Sequence, residues 1–151
     1  MKERMAFFLD ITLVSMIGLA QSASLIIFSG VKPNLILAVL VVLLFSEKEF
    51  WKYLILVLVS LICLDYSVFI SKEVVLFGVI MLSAFYFKKY LSENTYLNFF
   101  LLTSILTAML YLLVDYKFIF NNFGLFLWEL FYNVLISLAF GFLYKGLNGK
   151  E

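Results

Sequence analysis

Long apolar runs separated by short polar segments dominate this chain. Six such runs follow one another: Met5–Phe28, Leu35–Phe45, Phe50–Leu64, Val74–Phe87, Leu97–Val114 and Leu125–Tyr144. A helix that crosses the hydrocarbon core of a bilayer needs about 20 apolar residues, and the first, fifth and sixth runs meet this requirement alone. The third run is long enough if it continues to Ile70, which requires that Asp65 faces protein and not lipid. The fourth run is long enough if Tyr90 and Leu91 lie at the membrane interface and are counted with it. The pattern predicts a helical membrane protein.

The second run is the shortest, and the charges around it decide whether it crosses. Its 11 residues rise only about 16 Å as a helix, half of a hydrocarbon core. Six crossings that start inside place eight basic residues inside (Lys2, Arg4, Lys48, Lys52, Lys88, Lys89, Lys145, Lys150) and three outside (Lys32, Lys72, Lys117). A re-entrant second run would leave four inside and seven outside. Because inner loops carry the excess of Lys and Arg, we predict six spans with both termini and the Glu47–Lys52 loop cytoplasmic.

The composition agrees with a membrane protein and excludes several other classes. Hydrophobic residues make up 65% of the 151 residues, charged residues 14%, and the mean hydropathy is +1.09. A soluble domain of this size leaves roughly a third of its surface exposed and could not hide so many apolar side chains. Disorder requires the opposite composition, and no basic run predicts binding to nucleic acid. We therefore expect residues 1–151 to form one all-α domain in the lipid bilayer.

The first run has a feature of a secretory signal peptide. Small residues in Ala20–Ser24 resemble a cleavage site, and Lys2 and Arg4 precede the apolar run. However, Asp10 interrupts the run early, and the run continues past this site to Phe28. We therefore interpret it as the first transmembrane helix.

The last run carries small and polar residues at a regular spacing. Glu129, Asn133, Ser137 and Gly141 recur every four residues, which places them along one side of a helix. Such residues allow close approach of two helices and hydrogen bonds between them. Three interpretations remain open: packing within the chain's own bundle, contact with another protein, and an ion or substrate path. We predict that this helix-six stripe binds a partner.

The residues that usually carry catalysis are scarce. The chain has no histidine, and its single cysteine, Cys63, lies within an apolar run. Asp65 and Asp115 fall at the outer ends of predicted helices, not at mid-membrane where a protease would need a facing pair. No glycine-rich phosphate-binding loop is present. We expect a protein that is not an enzyme and that holds neither a metal ion nor a cofactor.

The entry to the second helix resembles a known family. Its residues are Val31-Lys32-Pro33-Asn34-Leu35-Ile36-Leu37, with proline at a position where a helix needs no amide hydrogen. This basic-Pro-Asn/Asp-Leu entry resembles that of MreD, the bacterial rod shape-determining membrane protein. The apolar third helix, which ends at Asp65, is similar to the corresponding helix of that family as well. Members often have Arg and Asp where this chain has Lys32 and Asn34.

The resemblance implies a function, a fold and partners. MreD proteins are non-enzymatic scaffolds of the cell-wall elongation machinery in the bacterial inner membrane. They bind MreC, a single-span protein with a periplasmic coiled coil, and help couple MreB filaments to RodA and its partner transpeptidase. Whether this chain also forms a homo-oligomer is left open by the sequence.

The implied fold supplies an alternative function. It is similar to the substrate-binding subunits of energy-coupling-factor vitamin transporters. A chain of that kind would need outward polar groups that converge on one small ligand. The candidates are Lys32, Asn34, Asp65, Ser67, Lys72, Glu73, Asp115 and Asn121.

Overall fold

The computed structural model describes residues 2–23, 31–65, 71–91 and 94–148, and these residues form an all-helical structure. The helices are α1 (Lys2–Ser22), α2 (Leu35–Ser46), α3 (Phe50–Leu64), α4 (Lys72–Phe87), α5 (Thr95–Asn121) and α6 (Phe123–Asn148), with a 3₁₀ turn at Lys88–Tyr90 after α4. The predicted all-α fold is confirmed for this part of the chain.

Helix α2 forms the centre of the bundle. Every residue from Leu35 to Leu44 is buried, although the segment has no polar face to direct it inward. The other helices surround α2 in the order α1, α3, α4, α5, α6, and each of them packs on it. A helix that is apolar on all sides can lie in a protein core or against lipid, and here the five other helices pack around it.

The outer surface of the bundle is apolar. Large hydrophobic side chains such as Phe8, Ile62, Val79 and Phe142 are exposed, a surface that suits lipid and not water. Three helices are long and apolar enough to cross a membrane by length and composition: Arg4–Ser22 of α1, α5, and Phe123–Gly146 of α6. Helices α2 and α3 are apolar but shorter. The described part of the chain thus has the character of a membrane protein.

Most helix boundaries follow the apolar runs, and α5 differs most. Helix α3 coincides with its predicted range, and α2 ends one residue beyond it. Helix α5 extends past its predicted end at Val114, with extended backbone at Asp115 (φ −151°, ψ 80°) where the helix is kinked. The predicted continuation of the first run to Phe28 lies outside the described residues. The third helix was predicted to continue through Asp65 to Ile70, but α3 ends at Leu64 and Asp65 has extended backbone (φ −125°, ψ 103°). Residues 66–70 lie outside the described part of the chain.

The kink in α5 has a local cause. The Asp115 carboxylate accepts a hydrogen bond from the Phe118 backbone N–H at 3.2 Å, which is the contact of an N-cap residue three positions before its donor. Asp115 therefore ends one helical segment and starts the next.

Candidate functional site

The segment that resembles MreD forms the capped entry of α2. Pro33 is buried, and the Asn34 side chain accepts a hydrogen bond from the Leu37 N–H at 3.0 Å, as an N-cap does. The exposed Lys32 precedes them. Leu35 is buried as the first residue of the helix.

Two further amide side chains join Asn34, and we call Gln21, Asn34 and Asn133 the amide hub. Gln21 of α1 accepts from the Ile36 N–H at 2.9 Å and donates to the Asn34 side-chain oxygen at 3.2 Å. Asn133 of α6 accepts from the Asn34 N–H at 2.7 Å. The first backbone N–H groups of a helix lack partners within that helix. The hub supplies partners from three helices and so fixes where α2 begins.

The helix-six stripe lies against α5, inside the chain's own bundle. Every fourth residue of α6 contacts every fourth residue of α5, and the residue numbers rise along α6 as they fall along α5. This is the pattern expected for two antiparallel neighbours. The pairs are Glu129 with Tyr111, Asn133 with Thr107, Ser137 with Thr103, and Gly141 with Phe99. We call this set of pairs the α5/α6 ladder.

The ladder requires a revision of the partner-binding prediction. Asn133, Ser137 and Gly141 are buried, and the side chains opposite them belong to α5. Thr103 donates to Ser137 at 3.0 Å, and Asn133 donates to Thr107 at 3.2 Å. Another protein could reach this face only by displacing α5, so the structure describes the stripe as an internal packing face.

Asp65 connects two helices. Its carboxylate accepts a hydrogen bond from the Ser71 N–H at 2.9 Å, and Ser71 in turn caps α4 by accepting from the Val74 N–H. Asp65 therefore ties the end of α3 to the start of α4.

A cavity of about 350 Å³ lies at the same end of the bundle as the amide hub. Its lining includes three carboxylates, those of Glu73, Asp115 and Glu129, and we call it the acidic cavity. Phe77, Tyr111 and Phe118 contribute aromatic walls. Asn34, Glu73 and Asp115 of the outward polar set converge here; Lys32, Asp65, Lys72 and Asn121 do not line it, and Ser67 lies outside the described residues.

At the opposite end of the bundle, Lys88 holds the end of α2. Its ammonium group donates to the backbone carbonyls of Leu44 at 3.0 Å and of Glu47 at 2.6 Å, and it lies 3.8 Å from the centre of the Phe85 ring. The last carbonyls of a helix lack internal partners and carry a partial negative charge, which a cation stabilises. Burial lowers the pKa of Lys88, although the nearby Glu47 opposes this shift.

A second polar cluster at this end joins α1, α2 and α6. The Tyr144 hydroxyl donates to the Asp10 carboxylate, at 3.1 and 3.2 Å to its two oxygens, and accepts from the Ser46 hydroxyl at 3.1 Å. Burial raises the pKa of the neighbouring Glu47, and the negative charge of Asp10 raises it further.

Several of these residues were not predicted. Gln21 lies within the small-residue segment Ala20–Ser24 and does not stand out there. An amide side chain in an apolar run nevertheless indicates a polar contact within the membrane. Tyr111 and Tyr144 were not singled out because tyrosine is common in membrane helices. Thr103 and Thr107 have the same four-residue spacing as the helix-six stripe, but this spacing does not identify their partners on α6.

We expect Asn133→Leu to destabilise the bundle through the amide hub. The change leaves the Asn34 N–H and the Thr107 hydroxyl without their partner, and each unsatisfied buried group costs about 1–3 kcal/mol. The measurement is thermal unfolding of the purified chain in detergent. Asn121→Leu, the same change at an exposed position, is the matched control. Equal melting temperatures for the two variants would contradict a role for Asn133 in the hub.

Comparisons with protein-family models, with curated proteins and with solved structures found no match to this chain.

Proposed function

We propose that this chain is a non-enzymatic scaffold of the cell-wall elongation machinery in a bacterial inner membrane, similar in role to MreD. In this proposal it binds an MreC-like single-span protein and contributes through it to the control of cell shape and peptidoglycan synthesis. RodA with its transpeptidase, and MreB, are indirect partners.

The amide hub is the observation that carries the proposal. The residues on which the resemblance rests, Pro33 and Asn34, lie where α1, α2 and α6 meet, so the motif has a structural role that a family would need to retain. The buried polar side chains Thr103, Thr107 and Ser137 are engaged in contacts between helices. Polar groups used in this way favour a rigid scaffold over a catalyst.

The six-span topology belongs to the same proposal, and the surroundings of α2 support it. A helix of 12 residues is about 18 Å long, too short to span a core of about 30 Å by itself. Membranes tolerate irregular backbone at depth where protein surrounds it and satisfies its polar groups. Here the amide hub serves the start of α2, and Lys88 serves its end.

The positions of the basic residues favour cytoplasmic termini. Lys88 contacts Glu47 in the α2–α3 loop, and this loop also contains Lys48. Tyr144, next to Lys145 near the end of α6, reaches Ser46 at the same end of the bundle. Basic residues concentrated at one end favour a cytoplasmic position for that end.

The topology predicts which engineered cysteines react in intact cells. In a Cys63→Ala background, we expect Lys48→Cys to resist membrane-impermeant thiol reagents, because the loop faces the cytoplasm. Lys117→Cys, on the opposite side in the six-span topology, should react and serves as the matched control. Rapid labelling at position 48 together with protection at 117 would reverse the orientation.

The function is tested by deletion and co-purification in the bacterium that encodes the chain. We expect deletion to convert rods to rounded cells and the wild-type gene to restore them. The chain should co-purify with the MreC-like protein from detergent extracts. Normal shape after deletion, together with absence of that protein from the purified material, would refute the proposal.

The acidic cavity favours a second candidate, a small-molecule-binding subunit of an energy-coupling-factor transporter. It brings Asn34, Glu73 and Asp115 to one open cleft of a size that small ligands occupy. Native mass spectrometry of the purified chain distinguishes the candidates. A bound small molecule that is lost in Glu129→Gln, with a transporter ATPase in the preparation, would favour this second function.

A further inference from the structure

The helices that surround α2 leave one seam open. Consecutive members of the series α1, α3, α4, α5, α6 pack on each other, and this closes the bundle over most of its circumference. Helices α6 and α1 both pack on α2, but they do not pack extensively on each other. The seam between them is therefore the place where an additional helix can complete the bundle.

A groove follows this seam near the end of the bundle at which α2 ends. Its volume is about 550 Å³, and we call it the α1/α6 groove. Leu9 and Leu13 of α1 form one wall, Phe140 and Leu143 of α6 form the other, and Asp10 and Tyr144 also line it. Leu9 and Leu143 stand at its rim with about 60% of their surface exposed (61% and 62%).

Asp10 is the unusual group in this apolar groove. Its side chain is 95% buried (5% exposed), and among the described residues the Tyr144 hydroxyl is the donor that reaches it. A carboxylate offers about four acceptor positions, so one hydroxyl leaves most of them unused. No ammonium or guanidinium of the described residues forms a salt bridge with it. A charge buried within a protein is costly without a partner.

We propose that the α1/α6 groove binds a single transmembrane helix of another protein, one that carries Lys or Arg at its cytoplasmic end. The apolar face of this helix packs between α1 and α6, and its basic side chain approaches Asp10. This inference rests on the proposed function and names the surface through which the single-span partner is held.

The charge of Asp10 favours a transmembrane helix with a basic end over a lipid as the occupant of the groove. Spans that enter the bilayer from the cytoplasm carry Lys and Arg at that boundary, which is the level of Asp10 in the proposed topology. An acyl chain offers no donor to the carboxylate, and an anionic lipid headgroup would be repelled by it. A second cavity next to the groove is also lined by Asp10, together with Glu47, Glu49, Lys48 and Lys52. The two glutamates and two lysines balance each other, so the preference for a basic partner comes from Asp10 itself.

Site-specific photo-crosslinking in intact cells tests the groove directly. A photoreactive amino acid is placed at Leu9 or at Leu143 of the full chain, with the MreC-like protein of the same bacterium as the probe. We expect both positions to crosslink to its transmembrane segment. Val79 on α4, which is 60% exposed on the far side of the bundle, is the matched control and should not crosslink.

Asp10→Asn tests the charge. Asparagine still accepts a hydrogen bond from Tyr144, so the contact between α1 and α6 is retained while the negative charge is removed. We expect crosslinking from Leu9 to fall roughly tenfold or more, as when a desolvated charge pair loses one member. If this variant does not accumulate, the comparison of Leu9 and Leu143 with Val79 in the wild-type chain still decides the matter.

The outcomes separate this inference from the function it rests on. Co-purification of the MreC-like protein with crosslinks from Val79 but not from Leu9 or Leu143 would overturn the groove and leave the function standing. Crosslinks to lipid alone, or to a second copy of this chain, would overturn it as well. Absence of the MreC-like protein from both experiments would refute the proposed function and the groove together.

Discussion

Leu40→Lys should nearly abolish accumulation of the protein in the membrane. Leu40 lies in the middle of α2, is completely buried, and is surrounded by the helices that pack on α2. A lysine at the centre of a membrane helix costs roughly 2.5–3.5 kcal/mol on insertion scales. In this position the long side chain can reach neither lipid headgroups nor water. The measurement is the amount of folded chain recovered from membranes, by immunoblot and by size-exclusion chromatography in detergent.

Two controls separate the effect of burying a charge from the effect of any substitution at position 40 and from the effect of an added lysine elsewhere. Leu40→Met keeps the volume and the apolar character and should cost less than about 1.5 kcal/mol. Tyr90→Lys adds the same charge at an exposed position after α4 and should accumulate normally. Normal recovery of Leu40→Lys would show that α2 is not enclosed by the other helices.

The position of α2 was only partly predictable from the sequence. Its limits follow from the apolar run and from Pro33 and Asn34, and the balance of Lys and Arg favours a crossing. What the run does not reveal is that the helix lies at the centre, because an apolar helix suits lipid as well as a protein core. The distinction comes from the partners of its ends, Gln21 and Lys88, which lie far from α2 in the sequence.

The stripe on α6 shows a different limit of sequence reasoning. A four-residue spacing of small and polar residues indicates a close helix contact but does not say which helix is opposite. The information was present on α5, where Thr103 and Thr107 have the same spacing. Two such faces on consecutive helices joined by a short connection favour pairing with each other, and this pairing is what the structure describes.

The acidic cavity could be predicted only in part, because Asn34, Glu73 and Asp115 belong to the outward polar set, and the α1/α6 groove could not be predicted. Each brings together residues from distant parts of the chain: Glu73 with Glu129 in the cavity, and Asp10 with Tyr144 in the groove. No periodicity within a single helix signals such a meeting. In the sequence, Asp10 is only a carboxylate that interrupts the first apolar run, and nothing in that run indicates that its side chain is buried against α6.

Gly141→Leu should be the most damaging change in the α5/α6 ladder. A Cβ atom at this position would overlap the ring of Phe99, with Phe99 Cδ2 only 2.6 Å away. Phe99 is itself buried, and its ring packs edge-to-face on Phe45 with the centroids 5.5 Å apart. The ring also borders a cavity of about 440 Å³. The larger side chain must therefore either displace the ring from Phe45 or push α5 and α6 apart, and both disrupt the packing.

We expect Gly141→Leu to lower the free energy of unfolding by about 3 kcal/mol, the upper part of the usual range for over-packed cores. Gly141→Ala should have a smaller effect in the same direction. Gly124→Leu and Gly146→Leu are matched controls on the same helix, because a Cβ at either position meets no atom within 4 Å. Thermal unfolding in detergent measures all four variants.

The same variants test the revised interpretation of the stripe. If Gly141 packs inside the bundle, its leucine variant should lose stability whether or not a partner protein is expressed with the chain. If the stripe faced a partner, Gly141→Leu would instead fold normally alone and lose only co-purification. A leucine is more apolar than a glycine and inserts more readily, so reduced recovery cannot be attributed to poor insertion. Destabilisation of the isolated chain therefore assigns Gly141 to the α5/α6 ladder.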